Sequence, residues 1–235
     1  KSDGQLLFML NGISKLKDTG RMGIIHNGSA LFSGAAGSGE SEIRRYVIEN
    51  DWLDAIIQLP NDVFYNTGIS TYVWIIDKSK QPHRQGQVQL IDASNMYESR
   101  RKNIGNKRVD ISEECRELIV KAYGEFLNEE YHLGERTVES KIFDNLDFGF
   151  NKVTIESPLK DEAGKLVLKN TKVQPNASLR DTEDIPLTRI LIRTSNAKSS
   201  RLIRMRGLTR TKRKSPMKFH SHACSISMWL RRAPR

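Results

Sequence analysis

Two adjacent aromatic residues, Phe64 and Tyr65, stand in a short segment that separates two apolar runs. These runs, Leu53 to Leu59 (LDAIIQL) and Thr71 to Asp77 (TYVWIID), are rich in β-branched and aromatic residues, which is typical of strands. Proline, asparagine and glycine punctuate the segment between them and predict a loop. Paired aromatic rings in a loop either cover the core or stack on a flat ligand such as a nucleic-acid base, and the residues alone leave both interpretations open.

A group of basic residues follows this loop closely in sequence and surrounds Asn103 to Asn106. One interpretation is a solvated, charged surface. The other is contact with the phosphates of a nucleic acid, whose backbone charge a binding protein must neutralise. Such contacts position a nucleic acid and do not read its sequence. The five candidates are Arg100, Arg101, Lys102, Lys107 and Arg108.

A glycine-rich segment, residues 34–41 (GAAGSGES), matches a phosphate-binding loop at every position except the lysine. Glu40 occupies that position, and a carboxylate repels phosphate. We therefore predict a strand-to-helix joint in which Ser38 or Ser41 caps the helix. Glu40 and Glu42 then complement the positive end of that helix.

Helical spacing of apolar residues predicts three helices around these segments. They cover Gln5–Lys17, Glu40–Asn50 and Ser112–Glu130. The second is predicted to bury Ile43, Tyr46 and Val47, and the third to be capped by Ser112 and to bury Cys115, Leu118, Ile119, Ala122 and Phe126.

Two further strands are predicted at Arg21–Asn27 and Val88–Asp92. The order strand, helix, strand with short joints implies a parallel crossover, which the run Thr71 to Asp77 then joins in the antiparallel direction. Farther along the chain, KVTIESPL and KLVLKNTKV flank a turn at residues 161–164 and predict a hairpin.

Three consecutive blocks resemble the modification subunit of type I restriction-modification systems. They are GRMGIIHNGSALF, IRRYVIENDWLDAIIQLPNDVFYNTGISTYVWIIDK and QLIDASNMYESRRKN, within a similarity from about Ser2 to Thr188. Members of that family transfer methyl groups from S-adenosylmethionine to adenine N6 in DNA. The resemblance implies that Phe64 or Tyr65 stacks on the target adenine, with Thr67 and Gly68 shaping the loop. Adenine N6 is unreachable inside the duplex, so the base must be extruded.

Two motifs of that family are absent from the 235 residues: a glycine-rich donor loop after the first strand and an Asn-Pro-Pro-aromatic motif. In family order both precede Lys1. We therefore expect the chain to carry the back half of the domain, to lack catalytic residues of its own and to bind no cofactor alone. S-adenosylmethionine is the cofactor implied for the full-length subunit.

The fold implied is α/β: a partial S-adenosylmethionine-dependent methyltransferase (Rossmann-like) sheet, a small α+β extension and a disordered basic tail. We assign residues 1–110 to the C-terminal half of the methyltransferase domain, 111–188 to a helix plus hairpin extension and 189–235 to the tail. The resemblance implies DNA as substrate, with specificity and restriction subunits as partners. A non-enzymatic nucleic-acid-binding protein that uses its basic tail, and a related RNA methyltransferase, remain alternative functions.

The basic charge is concentrated in residues 189–235, which hold 14 of the 38 Lys and Arg residues and no Asp or Glu. Residues 1–188 hold the other 24 basic residues and all 28 acidic residues, so their net charge is −4. Because it has no acidic partners, the tail is expected to be disordered, and its charge is typical of a segment that binds nucleic acid. We also hypothesise a frameshift: codons permitted from Ile190, read two bases later, give IDTYFERE, which resembles the family's continuation.

Composition excludes several other classes. No apolar run approaches the roughly 20 residues of a membrane span, and no signal sequence opens the chain, so we expect a cytoplasmic protein without membrane contact. Cys115 and Cys224 lack the CxxC spacing of zinc sites. His220 and His222 lie near Cys224 but lack a fourth ligand, so no metal site is predicted.

Overall fold

The computed structural model describes residues 4–161, 163–169 and 172–187. These residues fall into two compact units, one ending at Asn145 and the other beginning at Leu146. The predictions for the tail, including its disorder, its frameshift and the cluster at His220, His222 and Cys224, lie outside the described residues. No helix in the described part is long and apolar enough to cross a membrane.

The first unit combines helices with a mixed sheet. Its helices are α1 (Gln5–Lys15), α2 (Ser29–Phe32), α3 (Gly39–Glu49) and α4 (Glu113–Glu125). Its strands are β1 (Arg21–Asn27), β2 (Leu53–Gln58), β3 (Thr71–Asp77), β4 (Gln87–Asp92), β5 (Glu98–Ile104), β6 (Lys107–Asp110), β7 (Glu129–Leu133) and β8 (Arg136–Asp144). The predicted helices and strands of this unit therefore form, with ends that differ by a few residues.

Six of these strands form one sheet in the order β1-β3-β2-β4-β8-β7. Strand β3 lies between β1 and β2 and is antiparallel to both, so β1 and β2 run in the same direction. Strand β2 is parallel to β4. The predicted crossover from β1 through α3 to β2, with β3 antiparallel, is confirmed.

Every residue of β2 is buried, because both faces of the sheet are covered. On one face, Ile57 and Ile91 belong to an apolar cluster with residues of α4 such as Cys115 and Ile119. Ile56 alternates with Ile57 and therefore points to the opposite face, together with its register partner Trp74. The sheet thus holds the β2–β3 loop on a rigid base.

Helix α3 turns a different face to the core from the one predicted. It buries Ser41, Arg44, Val47 and Ile48, whereas Tyr46 is half-exposed. The Arg44 guanidinium donates to the carbonyls of Ala30 (3.1 Å) and Ser33 (2.6 Å), at the end of α2. Burial lowers the pKa of Arg44 to about 10. A charged residue occupies a core position because neighbouring carbonyl groups satisfy it.

Helix α4 has the predicted cap and apolar side but ends at Glu125, since Glu129 and Glu130 belong to β7. Ser112 caps it by accepting from the Cys115 N–H (3.4 Å), and Cys115, Ile119, Ala122 and Phe126 are buried. Its C-terminal cap is Phe126, which has a left-handed φ of 52°.

Two hairpins in this unit were not predicted. Strand β5 pairs with β6, and β7 with β8, each through a two-residue loop that begins with a glycine. Gly105 and Gly134 have φ values of 59° and 62°, as the first residue of such a loop requires. Strand β5 has no buried residue, so apolar alternation could not have indicated it.

The second unit contains β9 (Phe150–Pro158), β10 (Leu168–Lys169), β11 (Lys172–Val173) and β12 (Pro175–Pro186). The predicted turn exists, since the Gly164 N–H donates to the Asp161 carbonyl (2.9 Å). The predicted strand pairing is confirmed only beside the turn, where Lys160 and Leu166 form an isolated bridge. Farther from the turn it is wrong: β9 pairs along its length with β12, while β10 pairs with β11. The longer β12 satisfies the backbone groups of β9 more completely than the short segment after the turn.

Candidate nucleic-acid interface

The loop between β2 and β3 closes on itself and carries the aromatic pair at its turn. The Leu59 N–H donates to the Thr71 carbonyl (2.9 Å), so the strands remain joined at the base of the loop. Phe64 and Thr67 form an isolated β-bridge that brings the two sides of the loop together around Tyr65. Because β2 and β4 are parallel, the loop leaves the sheet at its carboxyl edge, where ligands commonly bind in open α/β sheets.

Tyr65 is the exposed member of the aromatic pair. It is 60% exposed, whereas Phe64 is half-buried. A ring that is largely exposed does not cover the core, and much of its surface is accessible to a ligand. The two adjacent residues therefore have different environments, which their sequence did not distinguish.

The conformation of the loop depends on Asp62, Thr67 and Gly68. Thr67 Oγ1 accepts from the Ile69 N–H (3.4 Å). Gly68 lies so close to the Asp62 carboxylate that a Cβ would collide with it. Asp62 has a φ of 57°, a left-handed conformation that aspartate adopts more readily than most residues. Residues Thr67 and Gly68 thus hold the shape of the turn beside Tyr65.

The β5–β6 hairpin docks on this loop through its backbone. The Asn106 N–H donates to the Tyr65 carbonyl (2.8 Å). The Asp62 carbonyl accepts from the N–H groups of Arg108 (2.9 Å) and Val109 (3.4 Å). Gly105 permits this approach, because a Cβ there would collide with the Tyr65 carbonyl oxygen. The tertiary structure therefore brings the predicted basic cluster against the predicted aromatic loop.

The basic residues of the hairpin divide into two groups. Lys107 pairs with Asp110 (2.8 Å), and Arg100 also forms a salt bridge to Asp110. The hydrogen bond from Lys107, with the charge of Arg100, holds the pKa of Asp110 below its usual value. Asp110 is therefore ionised at neutral pH and neutralises part of their charge.

The remaining cations point to solvent. Arg101, Lys102 and Arg108 are exposed and form no ion pair with another described residue. The Lys107 ammonium lies 5.2 Å from the centroid of the Tyr65 ring, within cation–π range. An exposed aromatic ring on a loop that is docked to a hairpin with three exposed cations can stack on a base and attract nearby phosphates.

A buried polar network is centred on Asp54, near the start of β2. The Arg84 guanidinium donates to both oxygens of Asp54 (2.8 and 2.9 Å) and lies over the rings of Tyr123 (4.6 Å) and Phe126 (4.1 Å). The Tyr123 hydroxyl also donates to Asp54 (2.6 Å). Burial, this hydrogen bond and the Asp54 charge raise the pKa of Tyr123. The network joins β2 to α4 and was not predicted, since its members are far apart in sequence.

The glycine-rich joint before α3 is not shaped as a phosphate cradle. Ser38 caps the helix, accepting from the Ser41 N–H (3.5 Å), as predicted. Gly34 has a φ of 86°, and its face is occupied by the side chains of Ser38 and Glu40. No cluster of His, Cys, Asp and Glu side chains suited to a metal ion occurs among the described residues.

Sequence reasoning missed three residues of this candidate interface: Asp62, Gly105 and Asp110. Gly105 and Asn106 were the available signal, because Gly-Asn between two extended runs is typical of a two-residue hairpin loop. Nothing local marks Asp62, whose role depends on a hairpin more than 40 residues away.

Residues 1–157 match the model of the N-6 DNA methylase family. The chain therefore belongs to that family. Its similarity to a DNA methylase family does not favour the alternatives of a non-enzymatic binding protein or an RNA methyltransferase.

The relatives are methylase subunits of type I restriction enzymes. The MjaIX subunit of Methanocaldococcus jannaschii is 36% identical over 100 residues, which are 42% of this chain and 17% of that protein. The MjaVIII subunit of the same organism is 29% identical over 143 residues, 60% of this chain and 23% of that protein. This chain thus spans about a fifth of the length of these relatives.

A solved structure has the same fold. The methyltransferase subunit of a type I restriction-modification system from Streptococcus thermophilus superposes with a TM-score of 0.53 and is 26% identical. The match covers 63% of this chain and 28% of that one. The mixed α/β sheet is therefore that of a methyltransferase, as the sequence predicted.

Proposed function

We propose that this chain is part of a modification subunit that transfers a methyl group from S-adenosylmethionine to adenine N6 in DNA. The observation that carries the proposal is the exposed Tyr65 ring in a loop docked to a cationic hairpin. The family match and the relatives support this reaction. Adenine in a duplex must leave the base stack before its N6 can react, and an exposed ring provides a surface to receive it.

Each predicted site residue has a role in this proposal. Tyr65 stacks on the extruded adenine, and half-buried Phe64 supports the turn beneath it. Thr67 and Gly68 keep the loop in shape. The exposed cations Arg101, Lys102 and Arg108 contact DNA phosphates directly, whereas Arg100 and Lys107, paired with Asp110, orient the hairpin.

The parts that hold the methyl donor lie outside the 235 residues in this proposal. The support is the sequence, which contains neither the Asn-Pro-Pro motif nor the glycine-rich donor loop that the family places after the first strand of its complete domain. Methyl transfer requires the donor carbon and the adenine nitrogen to be held in line, which the residues of this chain cannot do alone.

We therefore expect no binding of S-adenosylmethionine by this chain in isolation. Titration calorimetry with the purified chain measures this directly, and the complete subunit is the positive control. Micromolar binding by the isolated chain would contradict the assignment of the donor site to other residues.

The partners that we propose are DNA, a specificity subunit that reads the target sequence and the restriction subunit of a type I complex, with the assembly working in the cytoplasm. The relatives are named as subunits of type I restriction enzymes, which supports such an assembly. This division of labour is consistent with an interface of cations and an aromatic ring, since such groups hold DNA without reading its bases.

Replacing Tyr65 with alanine tests the proposed function. In the complete subunit with its specificity partner, we expect adenine methylation to slow by about 5-fold to 150-fold, the equivalent of about 1–3 kcal/mol of base stacking. The midpoint of unfolding should hardly change, because the ring is exposed. Tyr65→Phe should keep most activity, since it keeps the ring.

Tyr46→Ala is the matched control, because Tyr46 is a half-exposed tyrosine on α3, away from the loop. It should leave methylation near the wild-type rate. If Tyr65→Ala and Tyr46→Ala methylate DNA equally fast, Tyr65 does not receive the target base.

A further inference from the structure

The turn of the β5–β6 hairpin carries an exposed apolar side chain. Ile104 is 47% exposed and immediately precedes the two-residue loop Gly105-Asn106. Its cross-strand partner is Lys107, and the exposed cations Arg101 and Lys102 lie on the same strand. An isoleucine thus stands at the end of a segment whose other exposed residues are mainly polar.

The core does not account for this isoleucine. Strand β5 buries none of its residues, and Ile104 is not a member of the apolar cluster beneath α4. Single exposed apolar residues are common on protein surfaces, so exposure alone assigns no role. The position of Ile104 is the informative feature, because the hairpin that carries it is docked on the loop of Tyr65.

Docking fixes Ile104 relative to the Tyr65 ring. The Asn106 N–H is bonded to the Tyr65 carbonyl, and Gly105 lies against the same carbonyl oxygen. The Lys107 ammonium lies over the ring itself. An apolar side chain, an exposed ring and exposed cations are therefore carried by a hairpin and a loop that are hydrogen-bonded to each other. Isoleucine is also stiff at χ1, so it keeps its direction when it meets a ligand.

We propose that Ile104 enters the DNA stack and fills the space that the extruded adenine leaves. This inference rests on the proposed function, in which Tyr65 receives the base. Extrusion opens an apolar gap between neighbouring base pairs, and apolar side chains that insert between base steps are a known means of holding a duplex open. Arg101, Lys102 and Arg108 attract the phosphates on either side of that gap.

The test compares two DNA duplexes in the complete subunit with its specificity partner. One contains the normal target pair, and the other has an abasic site opposite the target adenine, so that this adenine is already unpaired. Ile104→Ala should slow methylation of the normal duplex about tenfold and should act within about twofold of wild type on the opened duplex. Ile104→Leu should retain activity on both duplexes, because it keeps an apolar side chain.

Fluorescence of 2-aminopurine at the target position measures extrusion independently. The fluorescence rises when the base leaves the stack, so the complex with Ile104→Ala should show a smaller rise than wild type. Val120→Ala removes a comparably exposed apolar side chain from α4 and is the control. It should match wild type in both assays.

Two results separate failure of this inference from failure of the proposed function. If wild type and Ile104→Ala extrude the base equally well, Ile104 does not fill the space left by the adenine. The same conclusion follows if Ile104→Ala methylates both duplexes equally slowly. If wild type neither methylates adenine nor extrudes 2-aminopurine, the proposed function itself is wrong. Tyr65→Ala should be slow even on the opened duplex, since its stacking surface is still missing.

Discussion

Asp54→Ala is expected to lower the free energy of unfolding by about 3–5 kcal/mol, because it leaves the buried Arg84 guanidinium without its counter-ion. Asp54 and Arg84 are 1% and 7% exposed, so water cannot replace the lost carboxylate. The substitution also removes the acceptor of the Tyr123 hydroxyl. Denaturant unfolding of the chain measures the change, with Asp54→Asn expected to lose less because it keeps the shape and one acceptor.

A surface ion pair provides the matched control. Glu113 and Arg116 form a salt bridge on α4, with side chains that are 72% and 58% exposed. Glu113→Ala should cost no more than about 1 kcal/mol, since water solvates both charges when the pair is broken. The double variant Asp54→Ala with Arg84→Met should lose less than the two single losses added together. Equal costs for Asp54→Ala and Glu113→Ala would show that the buried network contributes little.

Gly105→Ala is expected to separate the hairpin from the Tyr65 loop. The left-handed φ of 59° costs an alanine about 1–2 kcal/mol, and its Cβ would also collide with the Tyr65 carbonyl oxygen. Relieving that collision breaks the bond from the Asn106 N–H. The hairpin then has fewer fixed contacts, so trypsin should cut it after Arg101 and Lys102 several-fold faster than in wild type.

Gly134→Ala isolates the docking effect from the strain of the turn. Gly134 occupies the equivalent position in the β7–β8 loop, with a φ of 62°, but has no neighbouring atom where a Cβ would stand. The Gly134→Ala variant should lose about 1–2 kcal/mol of unfolding free energy, as Gly105→Ala does from strain alone. Trypsin should not cut its β5–β6 hairpin faster than in wild type. In the complete subunit, DNA methylation should fall only for Gly105→Ala. Equal cleavage of the two variants would mean that the hairpin does not depend on its contact with the loop.

The sequence alone predicted those parts of the fold whose residues carry their own short-range signal. Strands β2 and β3 are apolar runs bounded by turn residues, and α4 has a serine cap followed by a regular apolar stripe. Directions followed as well, because the order strand, helix, strand from β1 through α3 to β2 favours a parallel crossover. The order and spacing of FY-x-TG and its neighbours indicated the family, which residues 1–157 then matched.

The interpretation of α3 was right for Val47 and wrong for Tyr46, and the error has a physical reason. Periodicity treats an arginine as a surface residue, yet Arg44 is buried where carbonyls of Ala30 and Ser33 receive its hydrogen bonds. That environment is created by a different part of the chain. Strand β9 illustrates the same limit, because its partner was decided by competition between two segments and not by the turn that follows it.

The sequence therefore determined helices α1, α3 and α4, strands β1 to β4 with their directions, and the chemical types of the predicted site residues, all of which depend on neighbours along the chain. Only the tertiary structure decided which residues meet. The hairpin of Gly105 is ordered by carbonyls of Asp62 and Tyr65, some 40 residues earlier, and not by an apolar face of its own. Backbone hydrogen bonds of this kind leave no trace in side-chain patterns, since every non-proline residue carries the same donor and acceptor.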